Sequence, residues 1–284
     1  MRSRTILVSF IAFFVFLLCQ ISTAGQKLRY NFEKGKAYKY STIVESETSG
    51  QSMGQEFTMT SGADFDYSIS LISTNDGVMT LAVSFEKFNV KLNMPIMGFN
   101  DSIIVMKEYV GKRIKVIMTD KGKTLSVAPI DTVPPSRIQM IASLTPSDLF
   151  KQMLIELPEK EMDLKGSWKK DMPDTISRSG MKMLIKPSLV FNIVGAEEKN
   201  KFNCWKIAIT GTSTIEGSGN QRGADVTIDG TVKINGTAYI APEEGMFVHS
   251  EQSSETEMTT TATGSQTGAS TMSIGTTVKT TLVK

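Results

Sequence analysis

The sequence predicts a mainly β protein, a large curved antiparallel sheet or half-barrel of long strands with one short helical segment packed on its apolar face. Three observations predict it. Apolar residues recur at every second position through most of the chain, glycine-bearing turn sequences separate the alternating runs, and a single interval changes to helical spacing.

The clearest alternating run is Ala224 to Ile240. Its even positions carry Val226, Ile228, Val232, Ile234, Ala238 and Ile240, and its odd positions are nearly all polar. One face is therefore buried and the other wet. At about 3.3 Å per residue such a strand is far longer than usual, and Gly230 and Gly236 are the expected bend points. Met272, Ile274, Val278 and Leu282 alternate with Ser, Thr and Lys in the same way. Shorter runs are Phe65–Leu71, Met79–Phe85, Ile114–Met118 and Trp205–Ile209. After Phe85 the apolar phase moves to Phe88, Val90 and Leu92, which predicts a bulge near Glu86 and Lys87. Hairpin turns are expected at Asn75-Asp76-Gly77, Asp120-Lys121-Gly122, Gly217-Ser218-Gly219-Asn220 and Glu243-Glu244-Gly245, where residues tolerant of positive φ gather.

The exception is residues 134–157. Pro134-Pro135 opens a short helix through Ile138 and Ile141. Thr145 is the N-cap of a second, with Pro146 at its first position, Asp148 at its third, and Leu149, Phe150, Met153 and Leu154 as its apolar stripe. Pro158 ends it.

The first 24 residues read as a cleaved signal peptide. Arg2 and Arg4 precede an apolar stretch from Ile6 to Ile21, and Ser22 and Ala24 occupy the small-residue positions before a cleavage point. The stretch is short for a membrane span, and nothing later in the chain approaches one, so no transmembrane segment is expected after cleavage. Leu18 before Cys19 argues against lipid attachment. The expected location is exported, periplasmic or extracellular. Residues 25–284 then form a single β-rich domain. Its parts 25–130 and 164–284, joined by a helical segment 131–163, read equally as a divergent duplication or as two strand-rich halves with a common way of starting.

Removal of Arg2 and Arg4 lowers Lys plus Arg from 31 to 29, matching the 29 Asp plus Glu. A near-neutral chain with scattered lysines has no field for nucleic acid. Cys204 is then the single cysteine, so no internal disulfide forms and burial must hold the fold.

Catalytic chemistry finds few residues to use. His249 is the sole histidine and lies on a strand; a solvated or hydrogen-bonded role is the expectation. Cys204 has no histidine beside it and reads as a packed thiol. Lys121-Gly122-Lys123-Thr124 matches the end of a phosphate-binding loop, but Ile117 replaces that motif's first glycine and strands flank it. Glu159, Glu161 and Asp163 fall in a polar connection. The methionines, Met181 and Met183 among them, fit an irregular apolar interior or a cavity for greasy ligands better than a copper site without His or Cys. No enzyme activity, no cofactor and no metal are expected. Ser and Thr supply 16 of the 34 residues from Glu251 to Lys284, in alternation with apolar residues, which makes them strand faces.

The segment Leu28-Arg29-Tyr30-Asn31-Phe32-Glu33-Lys34-Gly35-Lys36-Ala37-Tyr38, the later Leu157-Pro158 with Gly166-Ser167-Trp168, and the Thr-rich closing strands resemble a family of exported bacterial β-rich proteins classed as a domain of unknown function. In architecture the chain is similar to the half-barrel carriers of lipoproteins and lipids in bacterial envelopes. That likeness implies a hydrophobic ligand in the concavity of the sheet but carries over no binding residue. The expected lining is Phe150, Met153, Leu154, Val226, Ile228, Val232 and Ile234. The competing expectation is a structural or protein-interaction module of the envelope, with a filled core and another envelope protein as partner.

Overall fold

A computed structural model describes residues 25–52, 54–95, 98–132, 150, 154–178, 181–221, 223–264 and 267–283. The expected signal peptide, Met153 and most of the expected helical interval lie outside them.

Nearly everything described is strand, in one antiparallel sheet. Its first half contains β1 (Ala37–Ser52), β2 (Gln55–Asn75), β3 (Val78–Met94), β4 (Phe99–Val105), β5 (Arg113–Thr119) and β6 (Thr124–Pro129). The second half contains β7 (Ser167–Lys170), β8 (Asp174–Arg178), β9 (Met181–Lys199), β10 (Phe202–Gln221), β11 (Ala224–Ala241), β12 (Met246–Gly264) and β13 (Gly268–Val283). The order across the sheet is β6-β5-β3-β2-β1-β13-β12-β11-β10-β9-β7, with β4 beside the far part of β3 and β8 beside the far part of β9. First and last long strands pair from Lys39↔Val283 to Ser52↔Ser270 and join the halves in the middle. The sheet does not close into a barrel.

The expected facing of β11 is observed. Val226, Ala238 and Ile240 are buried, Ile228, Val232 and Ile234 half-buried, and Asp225, Thr227, Asp229, Thr231, Lys233 and Asn235 exposed. The bulge is also where the phase change placed it: Asp66 pairs with Lys87 and Tyr67 with Phe85, leaving Glu86 as the extra residue. Asp76 and Gly77 form their turn with φ of 47° and 74°.

Two expectations need correction. Gly217 to Asn220 is not a turn but the end of β10, paired as Gly217↔Ile228 through Asn220↔Asp225. A Cβ on Gly217 would sit 3.2 Å from Met183 and 3.3 Å from Ile228, so this glycine leaves room for larger neighbours on adjacent strands. At Gly236 a Cβ would lie 2.6 Å from Gln252, so this glycine also permits close approach. The register of β11 shifts between Tyr239 and Ile240. At the other correction, residues 154–158 carry no helix. Leu157 N–H donates to the Lys121 carbonyl at 2.8 Å, an irregular link in place of the expected last helical turn.

Both ends of the sheet contribute to one apolar cluster on the same face. Phe65, Phe85 and Phe88 from β2 and β3 belong to it together with Phe191, Ile207 and Ile209 from β9 and β10. Leu28, Tyr30 and Phe32 fill the space between, with Phe150, Ile155 and Leu157. A sheet whose distant strands share one cluster must curve toward it, so this face is concave.

Candidate functional site: the concave face

The base of the concavity is plugged. Tyr30 donates its hydroxyl to the Ile155 carbonyl at 3.0 Å, and Trp168 Nε1 of β7 donates to the Glu156 carbonyl at 3.0 Å. Arg29 holds the Pro158 carbonyl at 2.9 Å and Asp120 at 3.3 Å. Residues 155–158 therefore tie the β7 side to the turn after β5, and the segment around Tyr30 lies across the same end. Burial pushes the Tyr30 phenol far above its ordinary pKa, so it remains a neutral donor.

Away from the plug the same face mixes apolar and hydroxyl side chains, most of them half-buried, with Thr48, Ser213 and Val226 buried among them. Register aligns Phe57, Gly50, Met272, Met258, Gly230, Ile215 and Ile185 in one row across β2, β1, β13, β12, β11, β10 and β9. Ile274 and Val232 stand one row nearer the base. Ile215, Ile228, Val232, Met258, Met272 and Ile274 are half-buried and, among the described residues, pack against neither buried cluster. Of the expected lining, Phe150 is buried in the base cluster, and Leu154 and Ile234 pack on it. Ile228 and Val232 lie half-buried beyond the plug, and Val226 beyond them is buried, so the expected lining is split between two zones rather than gathered around one pocket.

Sequence reasoning missed a third zone between these two. Ser61, Ser46, Thr276 and Ser254 stand opposite one another on β2, β1, β13 and β12, forming a row of hydroxyls on the concave face. Ser46 Oγ and Thr276 Oγ1 are 2.8 Å apart. Nearer the base, Thr42 and Thr280 make a similar pair at 3.0 Å, with Ser250 buried beside Thr280. Each of these strands alternates legibly by itself; only pairing shows that the hydroxyls fall in line.

Two grooves of about 740 and 750 Å³ cross the sheet, and neither is the concavity. In the first, Thr214 with Glu216, Asp229 with Thr231, and Glu257 with Thr259 flank the row through Gly230 and Met258. Such pairs two residues apart point away from the concave face, so the groove is relief on the wet side.

The remaining candidate groups are satisfied individually. His249 is buried on β12, with Nδ1 2.9 Å from Thr281 Oγ1 and its ring 5.8 Å from that of Tyr239. Burial, then the nearby Lys199 and Lys279, lower its pKa. Cys204 is fully buried beside Tyr239, Ala241 and Val248, and burial raises its thiol to about 11. Glu159 pairs with Lys121 in an exposed connection. Among the described residues no group of three or more His, Cys, Asp or Glu could hold a metal ion, and no helix is long and apolar enough to cross a membrane.

No family model and no curated protein matches this chain. Among solved structures it is similar to a lipovitellin determined in a study of lipid–protein interactions, with 12% identity and a TM-score of 0.44, over 89% of this chain and 26% of that one. This chain thus spans about a quarter of the lipovitellin. It is also similar to an outer-membrane channel from Pseudomonas putida F1, with 7% identity and a TM-score of 0.21 over 90% and 98% of the two chains. A mutant Rhodopseudomonas blastica porin gives 10% identity and a TM-score of 0.24 over 86% and 100%.

Proposed function

We propose that this chain is a non-enzymatic exported protein that holds the apolar part of a ligand on the half of its concave face away from the plug. Support comes from one observation above all. Apolar side chains continue beyond the plug, through Ile215, Val232, Met258, Met272 and Ile274, which are half-buried and belong to neither packed cluster. Apolar surface left outside the core in this way is available for a ligand to cover. Methionine suits the task because its unbranched side chain repacks around ligands of different shape. Export rests on the charged start, apolar stretch and small residues of Met1 to Ala24.

The test is N-phenyl-1-naphthylamine, an uncharged dye that brightens in apolar sites. The proposal expects saturable binding by the wild type and loss of it in Val232→Asp or Ile274→Asp that still melts cooperatively. Wild-type protein that leaves the dye dark, or folded variants that bind it unchanged, would overturn the proposal.

A second reading, an interaction module, draws support from the outer edge of β4, unpaired among the described residues, where Ile103 is 64% and Val105 51% exposed. Replacing both with Lys separates the two. A partner docked at this edge is lost, while dye binding on the concave face is unaffected.

A further inference from the structure

We infer that the tip of the β9–β10 hairpin is an acid-released latch: it folds across the wet face at the base end of β11 and β12, is fastened to β13, and comes free when His249 takes up a proton. The inference is independent of the ligand reading and concerns the opposite face of the sheet.

The tip leaves the sheet at an identifiable place. Opposite the step from Lys206 to Ile207, β9 carries one extra residue, Val194, between Ile193 and Gly195. Such a bulge bends the strand that contains it. Beyond the bulge, Asn200 and Lys201, at φ of 51° and 69°, make a tight two-residue turn between Lys199 and Phe202, so the tip is stiff in itself. Asn200 Nδ2 donates to the Leu282 carbonyl at 3.1 Å. Leu282 lies one residue past the last pair of the β12–β13 ladder, His249↔Thr281, on a strand three places from β10 in the sheet. In a flat sheet that separation is about 14 Å. The contact therefore requires the tip to leave the plane and pass over the ends of β11 and β12.

Beneath the tip is a small core on the wet side. Cys204, Tyr239, Ala241 and Val248 are buried in it, and half-buried Phe202 packs both on it and on the concave cluster. Lifting the tip uncovers this apolar surface and loosens one wall of the concave base.

The same fastening holds a cation near His249. Lys199 Nζ stands 4.9 Å from the ring centre of Tyr239 and Lys206 Nζ 5.7 Å from it, while the His249 ring lies 5.8 Å from that ring on the β12 side. Lys279 of β13 adds a further positive charge, Glu251 of β12 opposes it, Thr281 Oγ1 meets Nδ1 at 2.9 Å, and Glu197 of β9 is taken up by Lys206 at 3.4 Å. An imidazolium formed here shares one phenol ring with an ammonium and has little water to spread its charge. Strands β11, β12 and β13 are laddered to one another along most of their length. The tip is held over them by the Asn200 hydrogen bond, the Lys199 contact and Phe202, so the tip is the part that gives way.

The experiment follows the labelling of Cys204 by 4,4′-dithiodipyridine, which reacts with thiols in mild acid as well as at neutral pH, with each rate divided by that of N-acetylcysteine at the same pH. A Cys19→Ser background leaves Cys204 as the only thiol whether or not the first 24 residues are cleaved. Lowering the pH from 7.5 to 5.5 should speed labelling by up to about tenfold, the limit for an imidazole that regains its ordinary pKa on release. At pH 5.5 the rate should stay constant in urea up to about 1 M, because a local opening exposes little surface. His249→Asn and Lys199→Met should each bring the ratio between the two pH values within about twofold of unity. Asn200→Gly keeps the turn but loses the tie to Leu282, and should label about fivefold faster at pH 7.5. Equal wild-type rates at the two pH values overturn the inference, as does a rate at pH 5.5 that climbs steeply with urea, since only global unfolding then exposes the thiol. A pH ratio that survives in either His249→Asn or Lys199→Met overturns it too. Should His249→Asn fail to melt cooperatively, Lys199→Met, on the tip itself, decides alone.

Discussion

Thr42 of β1 and Thr280 of β13 stand directly opposite each other, each 1% exposed, with their hydroxyl oxygens 3.0 Å apart. This pair fixes the seam between the first and last long strands within the buried base. Removing one partner leaves the other's hydroxyl buried and unpaired, at a cost of about 1–3 kcal/mol, whereas removing both restores an apolar match. Thr280→Val should therefore lower stability by about 1–3 kcal/mol in urea unfolding, and Thr42→Val/Thr280→Val should recover most of it. A double variant as unstable as the sum of the singles would show that the pair has no mutual role.

Depth along β10 and β11 sets the cost of charge insertion. Ile207 is fully buried in the base cluster and Ile228 is half-buried away from it. Ile207→Asp should abolish cooperative unfolding, because an ionised carboxylate there has no partner. Ile228→Asp should cost about 1–2 kcal/mol, and Thr227→Asp on the wet face less than about 0.5 kcal/mol. Thermal melts of the three variants rank them; equal values for Ile228 and Thr227 would contradict the facing of β11.

These contrasts mark what could be read from the sequence. The faces of β11 and β13 and the bulge at Glu86 were legible, because period-two alternation is a local signal and a phase change in it has one simple cause. Gly217 to Asn220 misled, since glycine reads as a turn when its neighbour across the sheet is unknown; here it accommodates Met183 and Ile228. The plug of Leu28, Tyr30 and Phe32 gave no signal beyond three apolar residues two apart. The hydroxyl row was invisible for a different reason. Ser46 and Thr276 are 230 residues apart, and only register brings them together.

The thiol of Cys204 should behave as a packing group. It is fully buried, and its pKa of about 11 leaves little thiolate at neutral pH. Ellman's reagent at pH 8 should label it only as fast as the protein unfolds, with full labelling in denaturant. Immediate labelling of native protein would place the sulfur at the surface.

His249 makes stability depend on pH in a defined direction. Its ring is buried, with Nδ1 against Thr281 Oγ1 and Tyr239 alongside; Lys199 and Lys279 disfavour a second positive charge, and Glu251 opposes them more weakly. Burial and the two lysines lower the folded-state pKa, while the unfolded chain keeps the ordinary value of about 6.5. Between those values the unfolded state binds more protons, so stability rises with pH there. The contribution is complete above about pH 7 and is lost as pH falls through 6.5 toward the lowered folded value. Asp131, Glu159 and Glu197 have lowered pKa values too, Asp131 to about 2, and their losses begin only near the ordinary carboxylate range. The two windows are therefore separable. Urea midpoints should fall between pH 7 and 5.5 in wild type and stay flat over that interval in His249→Asn, whose amide can keep the contact with Thr281 without titrating. A wild-type midpoint that rises on acidification would mean that the folded state favours the imidazolium, and the burial of His249 against Tyr239 would have to be abandoned.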